Sequence, residues 1–207
     1  MSSAVDYLIA ARRGEVDELE KLARTCDLVI SASELIHRLQ GERGASNIFL
    51  ASGGTRFAAL REQRVADSDA AQSAVCDWLE RTDTRHGLCG GARLYTRVAV
   101  ALHALDGLPA IRADVGRGTF TPGDASKRYS EVIAALLALV FEAADVAVDP
   151  LVSRWLIALF NLMHGKELAG QERALGAAAY AAGQFDATQA RALDYLIEMQ
   201  EQALERF

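Results

Sequence analysis

Proline placement constrains this chain more than any other feature. Only three prolines occur, Pro109, Pro122 and Pro150, and each stands where a helical pattern begins. In Thr121-Pro122 and Asp149-Pro150 a capping side chain precedes proline at the first helical position, where the missing N–H costs nothing. No proline interrupts a periodic segment, and no stretch alternates in the Val/Ile/Thr manner of a strand. Ala and Leu, both good helix formers, dominate the composition. The expected fold is therefore all-α.

Periodicity divides the chain into eight helical segments: Ala4–Arg12, Glu15–Ala51, Thr55–Arg81, Ala92–Leu105, Pro109–Val115, Pro122–Val146, Pro150–Ala182 and Ala187–Arg206. Breaks are expected at Gly53-Gly54, His86–Gly91, Gly107, Gly116–Gly118, Asp149 and Gly183. No linker is long or polar enough to separate independently folded halves, so residues 1–207 read as one domain. Long helices joined by short loops imply an antiparallel bundle.

The bulk chemistry excludes several classes. A net charge of −6 argues against wrapping nucleic acid, which needs a basic face. Cys26, Cys76 and Cys89 are odd in number and widely spaced, as in a reduced cytoplasmic protein. The N-terminus lacks the apolar core of a signal peptide. The apolar stretch Val132–Phe141, bracketed by Glu131 and Glu142, falls far short of the roughly 20 residues of a membrane span. No glycine loop for nucleotides and no serine or cysteine nucleophile signature appears.

The basic residues are lopsided: of 22 Lys plus Arg, only Lys21, Lys127 and Lys166 are lysines. Some of these arginines sit in unusual company. A seam of roughly heptad spacing runs Val29, Ser33, Ile36, Leu39 or Gln40, Arg43, Ser46 or Asn47, Leu50, which places Arg43 where a leucine is expected. A second seam runs Trp155, Leu159, Leu162, Lys166, Ala169, Arg173, Gly176, Tyr180. Arg112 shares a face with Leu108 and Val115 on a short helix. A buried guanidinium without an anion costs several kcal/mol. Two readings follow. Each arginine can meet an internal carboxylate, with Glu34, Glu42, Glu142, Glu167 and Glu172 as candidates. Alternatively the three converge on a small, dry, positive pocket, in which a planar oxyanion takes paired N–H···O bonds from a guanidinium edge. Gly41 and Gly44 beside Arg43 would then mark a close approach of backbone or ligand.

Leu39-Gln40-Gly41-Glu42-Arg43-Gly44-Ala45-Ser46, with Leu50-Ala51-Ser52-Gly53-Gly54, resembles the opening signature of NIT domains, the nitrate- and nitrite-sensing family. Leu108-Pro109-Ala110-Ile111-Arg112 resembles the family's central motif. Val140–Asp145 and Lys166-Glu167-Leu168-Ala169-Gly170-Gln171-Glu172-Arg173-Ala174 resemble its C-terminal half. The likeness runs from about Leu28 to Phe207 and is most specific between Gly165 and Phe185. It implies a sensor of two packed four-helix bundles sharing long helices, binding nitrate or nitrite through arginines. Arg43, Arg112 and Arg173 match the family's arginine positions, with Arg56 and Arg61 as neighbours. His37, Gln40, Gly44, Ser46, Lys166 and Gly170 are expected to support them. The resemblance also implies no cofactor beyond the anion, a homodimer, and an effector such as an ANTAR RNA-binding domain that is not among these residues. The anion would draw mutually repelling cations together and pass a helix shift to the C-terminal helix.

Two other classes remain open. Glu34-x-x-His37 is half of a ferritin-like di-iron site, but no second Glu-x-x-His exists: Asp83 precedes His86, Val100 precedes His103 and Asn161 precedes His164. A structural dimerisation module, with seam arginines paired to glutamates, is the other.

Overall fold

The computed structural model describes residues 3–82 and 87–207, and the side chains of Ala181 and Ala182 are not among its described features. The expected break at His86 and the Asp83/His86 pair lie outside the described residues. Seven helices are present among the described residues, and no strand. They are α1 (Ala4–Ala51), α2 (Ala58–Arg81), α3 (Ala92–Asp106), α4 (Leu108–Arg117), α5 (Pro122–Asp145), α6 (Pro150–Ala182) and α7 (Ala187–Glu205).

The capping chemistry read from the sequence sets these boundaries. The side chains of Thr121 and Asp149 cap α5 and α6 just before proline. Asp186 and Gln189 close a capping box on α7. Gly118 and Gly183 end α4 and α6 in the left-handed conformation. Two boundaries differ from expectation by more than two residues. The first two segments form one helix of 48 residues, running straight through Gly14. That glycine costs a helix only about 0.5–1 kcal/mol, and Arg12 and Glu15 pair around it at 2.6 Å. The second helix starts at Ala58 instead of Thr55, because Gly53, Gly54 and Phe57 all take positive φ and delay the turn.

The core gathers around α1 and α5. Leu28, Val29, Ala32, Leu35, Ile36 and Leu39 of α1 meet Tyr129, Val132, Ile133, Leu136 and Val140 of α5, all buried. Against this pair pack α2 on α1, and α3, α4 and α6 on α5, while α7 covers α6. Of the α1 seam, Val29, Ile36, Leu39, Arg43 and Ser46 are buried, and Ser33 and Leu50 are partly buried. The α6 seam departs from its reading: Trp155 is 70% exposed and Tyr180 90%, whereas Leu156, Met163, Glu167 and Leu168 are buried. The reason is that α6 lies between α5 and α7. A helix clasped from two sides has no single apolar stripe, so heptad spacing misassigns its faces. From Ala4 to Glu20, α1 stands clear of the bundle and every residue is exposed, among them Val5, Leu8, Ile9, Val16 and Leu19. No helix among the described residues is long and apolar enough to cross a membrane.

Candidate functional site

Two consecutive residues of α1, Glu42 and Arg43, carry opposite charges into the interior, 0% and 4% exposed. They face two consecutive residues of α5, Tyr129 and Ser130, and two buried networks diverge from that crossing.

On one side, Glu42 meets Arg112 of α4. Arg112 Nε donates to Glu42 Oε1 at 2.8 Å and Nη2 to Oε2 at 3.0 Å, the bidentate geometry that suits a planar guanidinium. Tyr129 donates to Oε1 at 2.6 Å, and Ser68 of α2 closes on Oε2. Arg112 Nη1 also reaches Asp69 at 2.5 Å. Burial alone would lower the Arg112 pKa, but Glu42 and Asp69 outweigh it and raise it. Burial, reinforced by the Glu42 charge, pushes the Tyr129 phenol upward, so it stays a donor. Ser46 donates to that phenol at 3.4 Å.

On the other side, Arg43 pairs with Glu167 of α6, which is 3% exposed, through Nη1, and the same Nη1 donates to Ser130 Oγ at 2.7 Å. Glu167 collects further donors: Ser130 Oγ at 3.2 Å and Gln171 Nε2 at 2.9 Å on Oε1, and Gln40 Nε2 at 3.0 Å on Oε2. Gln40 Oε1 is buried without a partner among the described residues. Gly170 makes the arrangement possible, since a Cβ there would overlap Arg43 Nη2. Nearly two turns before Arg43 on α1 and one turn before Gly170 on α6, His37 Nδ1 lies 2.6 Å from Lys166 Nζ. Desolvation, then the Lys166 charge, lowers the His37 pKa, and desolvation lowers that of Lys166, as expected of two basic groups packed together.

The structure thus brings Arg43, Gln40, Gly170, Lys166 and His37 into one neighbourhood and puts Arg112 and Ser46 across α1 from it. Three expectations are corrected. Arg43 and Arg112 do not face each other across a hollow; each is held by an internal carboxylate, Glu167 and Glu42, both among those the sequence offered. The expected repulsion between cations is therefore absent at these two positions. Arg173 is exposed and makes no hydrogen bond or ion pair among the described residues, because the side of α6 that carries it is left uncovered by α5 and α7. A Cβ at Gly44 would meet nothing within 4 Å, so that glycine marks no close approach, while a Cβ at Gly41 would lie 3.6 Å from the Arg64 side chain.

Arg61 joins the Arg112 side: its Nη2 donates to the Arg112 carbonyl at 2.7 Å and its guanidinium lies over Phe49, 5.5 Å from the ring centroid. Its Nε is buried without a hydrogen-bond partner among the described residues. Arg56 is exposed and stacks on Phe57. Tyr129, Ser130, Ser68, Asp69 and Gln171 escaped the sequence reading. Tyr129 carried a signal, a phenol at a core position of an otherwise aliphatic helix, where a buried O–H needs a partner. No group of three or more His, Cys, Asp or Glu suited to a metal ion occurs among the described residues.

The fold and this interior define an all-helical bundle with two buried, hydrogen-bonded ion pairs at its central helix crossing. A family described as nitrate and nitrite sensing matches residues 34–207, and the chain belongs to that family. It is 39% identical over 183 residues to a nitrate regulatory protein of Klebsiella oxytoca, a match covering 87% of this chain and 45% of the relative. It superposes on the structure of the NasR transcription antiterminator with a TM-score of 0.86 at 36% identity, covering 97% of this chain and 54% of that one. The chain therefore spans about half the length of these relatives. The family is one of sensors, and the chain is not an enzyme.

Proposed function

We propose that this chain is the nitrate- or nitrite-binding part of a cytoplasmic regulatory protein, needing no cofactor, with the anion held near Arg43. All seven helices form the sensing unit, and α7 hands a helix shift to an effector, of the antiterminator kind or another. The observation that carries this reading is the donor set around Glu167. Arg43, Ser130, Gln171 and Gln40 converge on one planar, delocalised anion, and nitrate is another. Arg173, six residues beyond Glu167 on α6 and without a hydrogen bond or ion pair among the described residues, would add a further cation, and Arg112 with Arg61 would form the second positive centre behind α1. Calorimetry on the folded chain tests it directly. Nitrate or nitrite should bind, and Arg43→Gln or Arg173→Gln should remove the heat; binding unchanged in both variants would discard the assignment. A homodimer is the proposed assembly, supported by the uncovered apolar residues Val5, Leu8, Ile9, Val16 and Leu19 of α1. A monomer in sedimentation at high protein concentration would remove it.

A further inference from the structure

Resting on that reading, we infer that Glu167 sets the anion affinity of this site: its carboxylate occupies the oxyanion position, and nitrate or nitrite binds by displacing it. Four side-chain donors that could serve a planar oxyanion, from Arg43, Ser130, Gln171 and Gln40, are already turned on Glu167. Oε1 takes Arg43, Ser130 and Gln171, and Oε2 takes Gln40. Two anions cannot share these donors in a volume where Arg43 and Glu167 are 4% and 3% exposed. Like charges brought together there would each lose hydration without a compensating partner.

A route to the pair exists. A groove of about 400 Å³ runs between α5 and α6, lined by Leu137, Phe141, Phe160 and His164, and it ends on Ser130, Glu167 and Gln171. Its walls are apolar and its inner end carries the donors. A small, weakly hydrated anion entering there would reach Ser130 and Gln171 first and Arg43 last. Glu167, on the α6 wall, lies between the groove and the guanidinium.

The exchange has a mechanical consequence. Glu167 is the charged link between α6 and α1, two helices that otherwise touch only narrowly, while α6 packs broadly on α5 and α7. Transferring Arg43 from Glu167 to a diffusible anion removes the ion pair between α6 and α1 and loosens α6, and α7 with it, leaving the Lys166–His37 contact and the Gln40 hydrogen bond as the side-chain ties. A tethered competitor also keeps the apparent affinity below the intrinsic one by the fraction of time that Arg43 is free of it.

The test compares nitrate titrations of the folded chain by calorimetry, with circular dichroism confirming the fold of each variant. Glu167→Gln keeps the size and removes the charge, and nitrate should bind it about tenfold more tightly than the parent if Glu167 holds Arg43 about nine-tenths of the time. Glu167→Asp withdraws the carboxylate by one methylene and should shift affinity the same way, which keeps the test available should Glu167→Gln fail to fold. Glu172→Gln makes the same charge change on the same helix and should alter affinity by no more than about twofold, since Glu172 is half-buried against Gln200 of α7, makes no bond to Arg43, and its charge is partly screened by salt. Nitrate binding that appears only in the Glu167 variants also supports the inference. If the parent binds nitrate through Arg43 while Glu167→Gln and Glu167→Asp bind it equally or more weakly, the competitor role is overturned and the receptor reading stands. An equal gain in Glu172→Gln overturns it too, by reducing the effect to net charge. If no form binds nitrate or nitrite, both readings fall together.

Discussion

Replacing Gly170 with alanine should destabilise this protein, against the ordinary direction for a glycine inside a helix. Alanine is the better helix former by about 0.5–1 kcal/mol, so Gly→Ala within a helix normally helps. Gly44 in α1 and Gly176 in α6 show that normal case: a Cβ at either meets nothing within 4 Å. At Gly170 the new methyl overlaps Arg43 Nη2 and lies 3.7 Å from Cζ. The guanidinium would have to retreat by roughly 1 Å to restore an ordinary contact of about 3.5 Å. It is held against retreat by Glu167 and by Ser130 at 2.7 Å. Repacking around one extra carbon costs about 1–3 kcal/mol, and loss of a buried pair about 3–5 kcal/mol. After the helix gain, repacking alone leaves a net loss of up to about 2.5 kcal/mol, and any loosening of the Arg43–Glu167 pair adds to it. In a chain of this size each kcal/mol moves Tm by about 2–4 °C. Thermal and urea melts followed at 222 nm should therefore show Gly44→Ala and Gly176→Ala slightly more stable and Gly170→Ala clearly less. The cause can be isolated by repeating Gly170→Ala in an Arg43→Met background, where the penalty should vanish and the normal helix gain return. A Gly170→Ala protein as stable as the two controls would refute the placement of Arg43 against α6.

Two further outcomes follow from the same interior. Tyr129→Phe removes one donor from the fully buried Glu42, leaving Arg112 and Ser68; it should cost about 1–3 kcal/mol in a urea melt, and a neutral result would show that the phenol is not needed there. The second is a pH effect. His37 and His164 both have folded pKa values below the ordinary 6.5, chiefly through desolvation, with the Lys166 charge added at His37 and Glu167 opposing at His164. A depressed histidine binds fewer protons folded than unfolded, so its contribution is intact above about pH 6.5 and is lost as pH falls through the lower folded value. The urea midpoint should decline between pH 7.5 and 5.5 and decline less in a His37→Gln, His164→Gln double variant; a midpoint that rises over this interval would contradict the assigned environments.

The fold was largely legible because its signals are local. Proline at the first helical position, Asp and Thr caps and positive-φ glycines act within a few residues, and they place the starts of α5, α6 and α7 where the sequence put them. The continuous α1 was missed because a single glycine, Gly14, weakens a helix without ending it. The burial of Arg43 and Arg112 could be read from periodicity, since each helix offers one face to the core. Arg173 could not, because periodicity names a face and not its neighbour, and α6 has helices on two sides. What Arg43 and Arg112 would meet was also beyond reach. Glu42 and Glu167 were two of five candidate carboxylates, and only the crossing of α1 with α5 decides which side of α1 each pair occupies.

The adjacency of Glu42 and Arg43 gives the site its physical logic. Neighbouring residues on a helix point about 100° apart, so one step of α1 sends a carboxylate toward α2 and α4 and a guanidinium toward α6. The matching step of α5, Tyr129 to Ser130, supplies one hydroxyl to each. A helical core of this size could be sealed with leucine at these positions, and buried ion pairs are often no more stabilising than apolar residues of equal volume. Their distinguishing property is that they can be exchanged. An apolar contact has no small soluble competitor, whereas a guanidinium held by a carboxylate can pass to another oxyanion with its hydrogen bonds preserved. The Arg43 pair is the one that a groove reaches, and its carboxylate stands on α6, the helix against which α7 packs. The Arg112 pair faces α2 and α4, and its carboxylate is on α1 itself. Exchange at Arg43 therefore changes which helices are tied to one another. At Arg112 the same exchange would leave Glu42 fully buried, with only the Tyr129 and Ser68 hydroxyls to hold its charge. That asymmetry favours Arg43 as the residue that yields to the anion and Arg112 as the one that anchors α4 to α1.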